Sequence, residues 1–234
     1  MRKRNQIHAA AATLTALLLC ACGGGATPAD SAGASGARAL GEMQSGEGTF
    51  YADDGHGSCS FENPQERMVA AINDPQYAGS EACGMCAEVT GPRGKLVLRI
   101  VNRCPGCKAG DLDLSEEAFA LIADKRDGRV PITWVPVACE VAGPIALHFK
   151  DGSSQWWLAV QVRNSRLPIR QVEMQTASGF VALARQPYNY FVNADAPGPG
   201  PYTLRITATD GQQLLEPGIA LRPGRAVQGR DQFE

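Results

Sequence analysis

Apolar residues along this chain form short runs that are separated by turn residues. Residues 96–101 and 132–137 read as strands, because both short runs are rich in apolar and β-branched residues. Ser115 followed by two glutamates predicts a capped helix that continues to residue 122. Residues 66–72 are predicted as another short helix, ending at a turn over residues 73–75. Mostly strands with one or two short helices is the pattern of a small mixed β-barrel.

The pattern changes after residue 143, where cysteine disappears and alternating apolar and polar runs recur without a helical period. Turn pairs such as Asp151-Gly152 and Asp210-Gly211 separate these runs, which cover residues 145–149, 157–163, 170–174, 180–184 and 202–207. Short strands at this spacing predict a β-sandwich of about 90 residues. We therefore expect two domains, a barrel over residues 45–141 and a sandwich over residues 142–234.

Composition agrees with a turn-rich β protein. Hydrophobic residues make up 44% of the chain, enough for packed cores, and 26 Gly and 15 Pro disfavour long helices. The formal net charge of −2 gives no electrostatic basis for binding nucleic acid, so we expect no nucleic-acid partner.

The first 22 residues have the features of an export signal. Basic residues 2–4 precede an apolar stretch over residues 9–19 that is too short to span a bilayer. The stretch ends in Leu-Cys-Ala-Cys, which resembles a lipobox and would place a lipid on Cys22; ordinary signal cleavage near Ala21 is the alternative. Residues 23–44 are rich in Gly, Ala and Ser and are predicted to be a flexible linker. We expect either a secreted protein or an outer-membrane lipoprotein.

Six cysteines remain beyond the export signal, all in the predicted barrel: Cys59, Cys83, Cys86, Cys104, Cys107 and Cys139. Two Cys-x-x-Cys pairs separated by 17 residues fit the spacing of a four-cysteine zinc site. Export to an oxidising compartment favours disulfides instead, and three disulfides use all six thiols. We therefore expect three disulfides and no metal, and the sequence leaves their pairing open.

Several short motifs occur in an order that resembles the expansin family. GEGTFY at residues 46–51, ACGMC at 82–86, NRCP at 102–105 and DLDLS at 111–115 are similar to the first expansin domain. GSSQWW at residues 152–157, QVRN at 161–164 and PYNYF at 187–191 are similar to the second. The resemblance covers about residues 45–234. It implies a six-stranded double-psi β-barrel related to family-45 endoglucanases, followed by an immunoglobulin-like β-sandwich that acts as a carbohydrate-binding module.

The resemblance also implies an open groove on the barrel. Asp113 matches the aspartate that the family needs for wall loosening, and Thr49 matches a threonine that hydrogen-bonds beside it. Taken alone, Asp113 also reads as a charge that favours the start of the following helix. Tyr51, Asn102 and Asp53 are expected to line the groove. An inverting glycosidase needs two facing carboxylates about 6.5–9.5 Å apart, one of which acts as a base. Asn102 cannot act as a base, so its presence makes hydrolysis less favoured. Asp53 and Asp54 leave that question open.

The second domain is expected to bind glycan through aromatic stacking, with Trp156, Trp157 and Tyr188 as the row of rings and Lys150 beside them. Tryptophans in a strand are ordinarily core residues. Strand alternation places Trp156 on the same face as the apolar positions 158, 160 and 162, and Trp157 on the opposite face with the polar positions 161 and 163. Both rings reach one surface only if the strand begins irregularly after Ser154.

These observations predict a secreted, monomeric expansin. It would bind cellulose and related cell-wall polysaccharides and loosen plant-type walls without cutting them, and it would need no cofactor. The alternatives are a lytic enzyme on the same barrel, either an endoglucanase or a peptidoglycan lytic transglycosylase, and a carbohydrate-binding or adhesion protein with an inert barrel.

Overall fold

The computed structural model describes residues 38–63 and 65–234. The predicted export signal, the candidate lipidation site Cys22 and linker residues 23–37 lie outside the described residues. No helix within the described part has the length and apolar character needed to cross a membrane.

The first half of the described chain forms a closed barrel of six strands. Its elements are β1 (Gln44–Tyr51), β2 (Val69–Asn73), α1 (Asp74–Tyr77), β3 (Cys86–Gly91), β4 (Gly94–Cys104), β5 (Leu112–Ser115), α2 (Glu116–Ile122) and β6 (Val130–Val137). The strands close in the order β1-β5-β2-β4-β3-β6. The pairs β1–β5 and β2–β4 are parallel, and the other pairs are antiparallel.

Local sequence explains several of these elements. The Ser115 side chain accepts a hydrogen bond from the Ala118 amide and caps α2, and two glutamates occupy its first turn. The Asn73 side chain caps α1 in the same way, through the amide of Gln76. The predicted strands at residues 96–101 and 132–137 and the capped helix are confirmed.

The predicted helix over residues 66–72 is wrong, because the apolar part of this segment is β2. Ala70 and Ala71 are good helix formers, but every residue of β2 is buried between the neighbouring strands β4 and β5. A short run that is apolar on both faces is typical of a central strand, and tertiary pairing overrides the local helical preference.

The barrel closes tightly where β1 passes the turn before β5. A side chain at Gly46 would place its Cβ 2.3 Å from the carbonyl oxygen of Gly110, and Gly110 itself has a φ of +90°. Neither position tolerates a larger residue. This approach brings the start of β1 alongside the segment that leads into Asp113.

The six cysteines form three disulfides, as predicted, and so are not available as a zinc site. The pairs are Cys59–Cys83, Cys86–Cys139 and Cys104–Cys107. The first two are buried, and the third closes the short turn after β4. Among the described residues, no group of His, Cys, Asp or Glu side chains is arranged to hold a metal ion.

The second half forms two sheets that pack face to face. Their strands are β7 (Ala146–Phe149), β8 (Leu158–Arg163), β9 (Ile169–Thr176), β10 (Gly179–Ala182), β11 (Ala184–Arg185), β12 (Phe191–Asn193), β13 (Tyr202–Ala208), β14 (Gln213–Ile219) and β15 (Ala226–Gln228). One sheet has the order β10-β9-β13-β14, and the other β11-β12-β8-β7-β15. One apolar core joins them, and the predicted β-barrel followed by a β-sandwich is confirmed.

The described end of the predicted linker lies against the barrel and the sandwich. The Leu40 amide donates to the Pro136 carbonyl (2.7 Å), and the Ala138 amide donates to the Arg38 carbonyl (3.1 Å). The Leu40 side chain packs against the sandwich core. Residues 38–44 are therefore part of the folded structure.

Candidate functional site: a polar groove and an aromatic platform

Strand register brings four residues into one row on the outer face of the barrel. Thr49 on β1 pairs with Asp113 on β5, Asp113 pairs with Ala71 on β2, and Ala71 pairs with Asn102 on β4. Directly paired residues point to the same side of a sheet. The flanking residues Leu112 and Leu114 point to the other side and are fully buried in the core.

Asp113 is held by a short hydrogen bond within this row. The Thr49 hydroxyl donates to Oδ1 of Asp113 at 2.6 Å, a length typical of a hydroxyl bound to an ionised carboxylate. Asp113 is half-buried, and its paired neighbour on the other side is the small residue Ala71. The predicted Thr49–Asp113 contact is thus present in the structure, and a polar ligand has access to the carboxylate.

Tyr51 lies two residues beyond Thr49 on the same face of β1. Its phenol donates to Oδ1 of Asp53 at 2.9 Å and lies near Asn102 and Asp113. Burial, with the hydrogen bond to Asp53 and its negative charge, raises the pKa of the Tyr51 phenol well above its ordinary value. Tyr51 therefore stays protonated and remains a hydrogen-bond donor in the groove.

Asp53 and Asn102 both serve as acceptors for backbone groups. The second oxygen of Asp53, Oδ2, accepts from the Gly55 amide at 3.1 Å. The side-chain oxygen of Asn102 accepts from the amides of Ser58 (2.9 Å) and Arg103 (2.8 Å). Asn102 thus fixes the loop after β1 against the end of β4, while Asp53 orders the start of the same loop. This loop forms one wall of the groove.

Asp111 is not among the residues predicted from the sequence, but it orders the segment that leads into Asp113. The residue is 7% exposed, and its carboxylate accepts hydrogen bonds from the amides of Glu47 (2.8 Å) and Lys108 (3.0 Å). These bonds hold the start of β5 against β1. The acidic residue two positions before Asp113 was visible in the sequence, but its backbone partners were not.

The predicted aromatic residues lie on or beside the five-stranded sheet of the sandwich. The Trp156 residue is 67% exposed, Tyr188 is 36% exposed, and Trp157 is half-buried. The nitrogen Nζ of Lys150 lies 5.8 Å from the centre of the Tyr188 ring and 5.4 Å from that of Tyr190. We call Trp156, Trp157, Tyr188 and Lys150 the platform.

The expectation that Trp156 shares the core face of its strand is wrong. Strand β8 begins at Leu158, so strand alternation does not extend to residue 156. The preceding residues form an irregular loop, in which the Ser154 amide donates to the Trp157 carbonyl at 2.6 Å. This irregular start frees the Trp156 ring from the core and exposes it.

Tyr190, which the sequence did not single out, supports the platform from beneath. Its ring is buried and lies 5.9 Å from that of Tyr188, and its hydroxyl is 2.9 Å from Nδ1 of His148. Burial, aided by the nearby Arg163 cation, lowers the pKa of His148. His148 therefore remains neutral at neutral pH.

A cavity elsewhere in the described structure contains none of the predicted site residues. It has a volume of about 530 Å³ and lies beside the Glu66–Arg99 ion pair (2.8 Å). The groove and the platform are instead open surfaces. Open surfaces suit a long polymer, whereas an enclosed pocket suits a small molecule.

A polar groove on a mixed six-stranded barrel and an aromatic platform on an attached β-sandwich define a class of two-domain proteins with open binding surfaces. A family model described as lytic transglycolase, DPBB_1, matches residues 69–134. Expansin-YoaJ of Bacillus subtilis is 33% identical over 157 residues, which cover 65% of this chain and 67% of that protein. The chain belongs to the expansin family.

Other relatives agree with this assignment. The crystal structure of the apo expansin of Clavibacter michiganensis has a TM-score of 0.78 and 34% identity, and the match covers 82% of this chain and 98% of that one. A mutant of the Clavibacter protein, solved in complex with cellohexaose, matches equally well. Expansin-like protein 1 of Dictyostelium discoideum is 27% identical over 70% of this chain, and the match spans 62% of that relative.

Proposed function

We propose that this protein is an exported expansin that binds cellulose and related wall glucans and loosens the wall without hydrolysis. The observation that carries the proposal is the Thr49–Asp113 pair in an open groove, on the same chain as an exposed aromatic platform. The Clavibacter michiganensis structure with cellohexaose supports a β-glucan as the ligand.

The platform would bind the flat faces of successive sugar rings. Sugar rings have apolar C–H faces, and flat aromatic side chains stack on them without enclosing them. Trp156 offers the largest exposed ring, and Lys150 can donate to hydroxyls at the ring edge. This arrangement favours a long, flat polymer over a single small sugar.

The groove would grip the chain by hydrogen bonds. The Asp113 carboxylate accepts from sugar hydroxyls, and the raised pKa of Tyr51 keeps its phenol protonated. A glucan held this way exchanges hydrogen bonds to neighbouring chains for hydrogen bonds to the protein. Neighbouring polymers can then slip under load, and no bond is broken.

The side chains near Asp113 support binding without hydrolysis. An inverting mechanism needs a second carboxylate that activates water. Both oxygens of Asp53 already accept hydrogen bonds, from Tyr51 and from Gly55, and the amide of Asn102 cannot take up a proton. The geometry therefore favours binding over cleavage.

The experiment pairs wall creep with sugar release. Creep of a heat-inactivated plant wall under constant load is measured alongside reducing ends released from soluble glucan and from peptidoglycan. We expect creep without release. Asp113→Asn should abolish creep and leave cellulose binding nearly intact. The matched control is Asp54→Asn. Asp54 is exposed and its carboxylate accepts a hydrogen bond from the nearby His56 amide (3.0 Å), so this variant should behave as wild type.

Three outcomes would contradict the proposal. Creep that persists in Asp113→Asn would show that the Asp113 carboxylate is not needed for wall loosening. Reducing ends that appear with the wild type and vanish with Asp113→Asn would identify a lytic enzyme instead. Binding without creep in the wild type would identify an adhesion protein.

We further propose that the chain is exported and acts as a monomer, with Cys22 as the candidate lipid attachment site. Three disulfides support export, because such bonds persist in oxidising compartments. Labelling cells with a fatty acid tests the anchor. Incorporation into the wild type and its loss in Cys22→Ala would support it, and an unlabelled wild-type protein would contradict it.

A further inference from the structure

The exposed ring of Tyr188 lies on a tight turn between β11 and β12. The Gln186 amide donates to the Tyr190 carbonyl (2.7 Å), and the Asn189 amide donates to the Gln186 carbonyl (3.0 Å). Asn189 has a φ of +62°, in the left-handed region that asparagine tolerates. The position of this turn decides where the Tyr188 ring lies.

Side chains of the barrel hold this turn from below. The Tyr77 hydroxyl lies 2.6 Å from the Pro187 carbonyl oxygen, and the Ser80 hydroxyl donates to the Gln186 carbonyl at 2.8 Å. In the opposite direction, Nδ2 of Asn189 donates to the Cys59 carbonyl of the barrel at 3.2 Å. The turn that carries a platform residue is thus anchored mainly to the other domain.

The same Tyr77 hydroxyl also reaches the wall of the groove. It lies 3.1 Å from the Ser58 carbonyl oxygen, and the Ser58 amide donates to the side chain of Asn102 at 2.9 Å. The Tyr77 side chain is buried, with the residue 3% exposed, and burial raises its pKa, so the phenol remains a donor. One phenol therefore lies between the groove wall and the platform turn.

We propose that Tyr77 is a positioning residue that fixes the Tyr188 ring of the platform relative to the groove. Tyr77 is too buried to touch a glucan and acts through the Pro187 carbonyl. A platform ring held in place before binding loses less conformational freedom when the polymer docks, and this raises affinity. The inference rests on the function proposed above and adds a barrel residue to the machinery of the sandwich surface.

The test is a double-mutant cycle on binding to insoluble cellulose with the full chain. Tyr77→Phe keeps the ring and removes only the hydroxyl. Losing one buried hydrogen bond from the positioning contact should weaken cellulose binding about threefold to tenfold. Tyr188→Ala should weaken binding by itself. The double variant should bind no more weakly than Tyr188→Ala alone, because Tyr77 acts only through that ring.

Two further variants keep the test interpretable. Ser80→Ala removes the neighbouring anchor on Gln186 and should reproduce the loss in affinity. Ser165→Ala removes another buried hydroxyl, which donates to the Leu167 carbonyl (2.6 Å) away from the platform, and should leave affinity unchanged. Thermal unfolding of each variant shows whether it remains folded at the assay temperature.

The outcomes distinguish failure of the proposed function from failure of the role of Tyr77. A wild-type protein that does not bind cellulose contradicts the proposed function and the role of Tyr77 with it. If the wild type binds and Tyr77→Phe binds equally well, the role of Tyr77 alone is wrong. Losses that multiply in the double variant overturn it too, because Tyr77 would then act independently of Tyr188.

Discussion

Trp156 gives the most direct test of the platform, because its ring is the most exposed aromatic surface of the sandwich. The residue is 67% exposed. An aromatic side chain presents about 150–250 Å², so about 150 Å² of Trp156 is open to solvent. A flat glucan covers one face, about half of that area. At about 25 cal/mol per Å², covering this face is worth about 2 kcal/mol.

Part of this free energy is lost on binding. Ordering the ring and the sugar costs about 0.5–1 kcal/mol, so the Trp156 ring contributes a net binding free energy of about 1–1.5 kcal/mol. We therefore expect Trp156→Ala to raise the dissociation constant for insoluble cellulose about fivefold to tenfold. The thermal unfolding midpoint should stay close to that of the wild type, since the ring makes little contact with the core.

The assay is a cellulose-binding isotherm measured together with thermal unfolding. Leu215→Ala is the matched control, because Leu215 is also an exposed apolar residue (54%) but lies on β14 in the other sheet. It should bind as wild type. Wild-type affinity in Trp156→Ala would refute the stacking argument. A large drop in melting temperature would show that the ring belongs to the core after all.

Three further predictions concern stability and redox state. Burial lowers the pKa of His148, so the imidazole gains its proton at a higher pH in the unfolded state than in the folded state. The unfolding free energy should therefore fall as pH drops below about 6.5. In denaturant titrations, His148→Gln should flatten this dependence. The mature oxidised protein should contain no titratable thiol and no zinc. Mild reductant should first expose Cys104 and Cys107 to thiol labelling, because their disulfide is less buried than the other two. Glu216, fully buried, accepts from the Arg230 and Asp231 amides; Glu216→Ala should lower the unfolding free energy by about 3 kcal/mol without changing cellulose affinity. An unfolding free energy that does not change with pH would contradict the first prediction. Labelling that begins at other cysteines would contradict the second, and wild-type stability in Glu216→Ala would contradict the third.

Much of the fold followed from the sequence because its signals are local. The strand at residues 96–101 and the Ser115 cap act through neighbours in the chain, and both are present in the structure. The motifs around Thr49 and Asp113 identified both residues of the groove pair before any geometry was known. An ordered set of motifs across both domains also indicated the family, which the similarity to Expansin-YoaJ then showed.

Other features depended on contacts between distant parts of the chain. Residues 69–73 form a strand because β4 and β5 enclose them, although their composition favours a helix. The cysteine pairing required the barrel to place Cys86 next to Cys139, 53 residues away. Trp156 faces solvent because β8 begins only at Leu158, and strand alternation cannot reveal where a strand begins.

The relation between the two binding surfaces was decided by tertiary structure alone. Tyr77 lies on a short helix of the barrel, and nothing in its sequence surroundings connects it with Pro187, 110 residues later. The chain by itself determined which residues can form strands, caps and stacking surfaces, because those properties depend on residue type and near neighbours. Packing of the barrel against the sandwich decided which of these residues work together, because hydrogen bonds between distant segments exist only once both domains have folded.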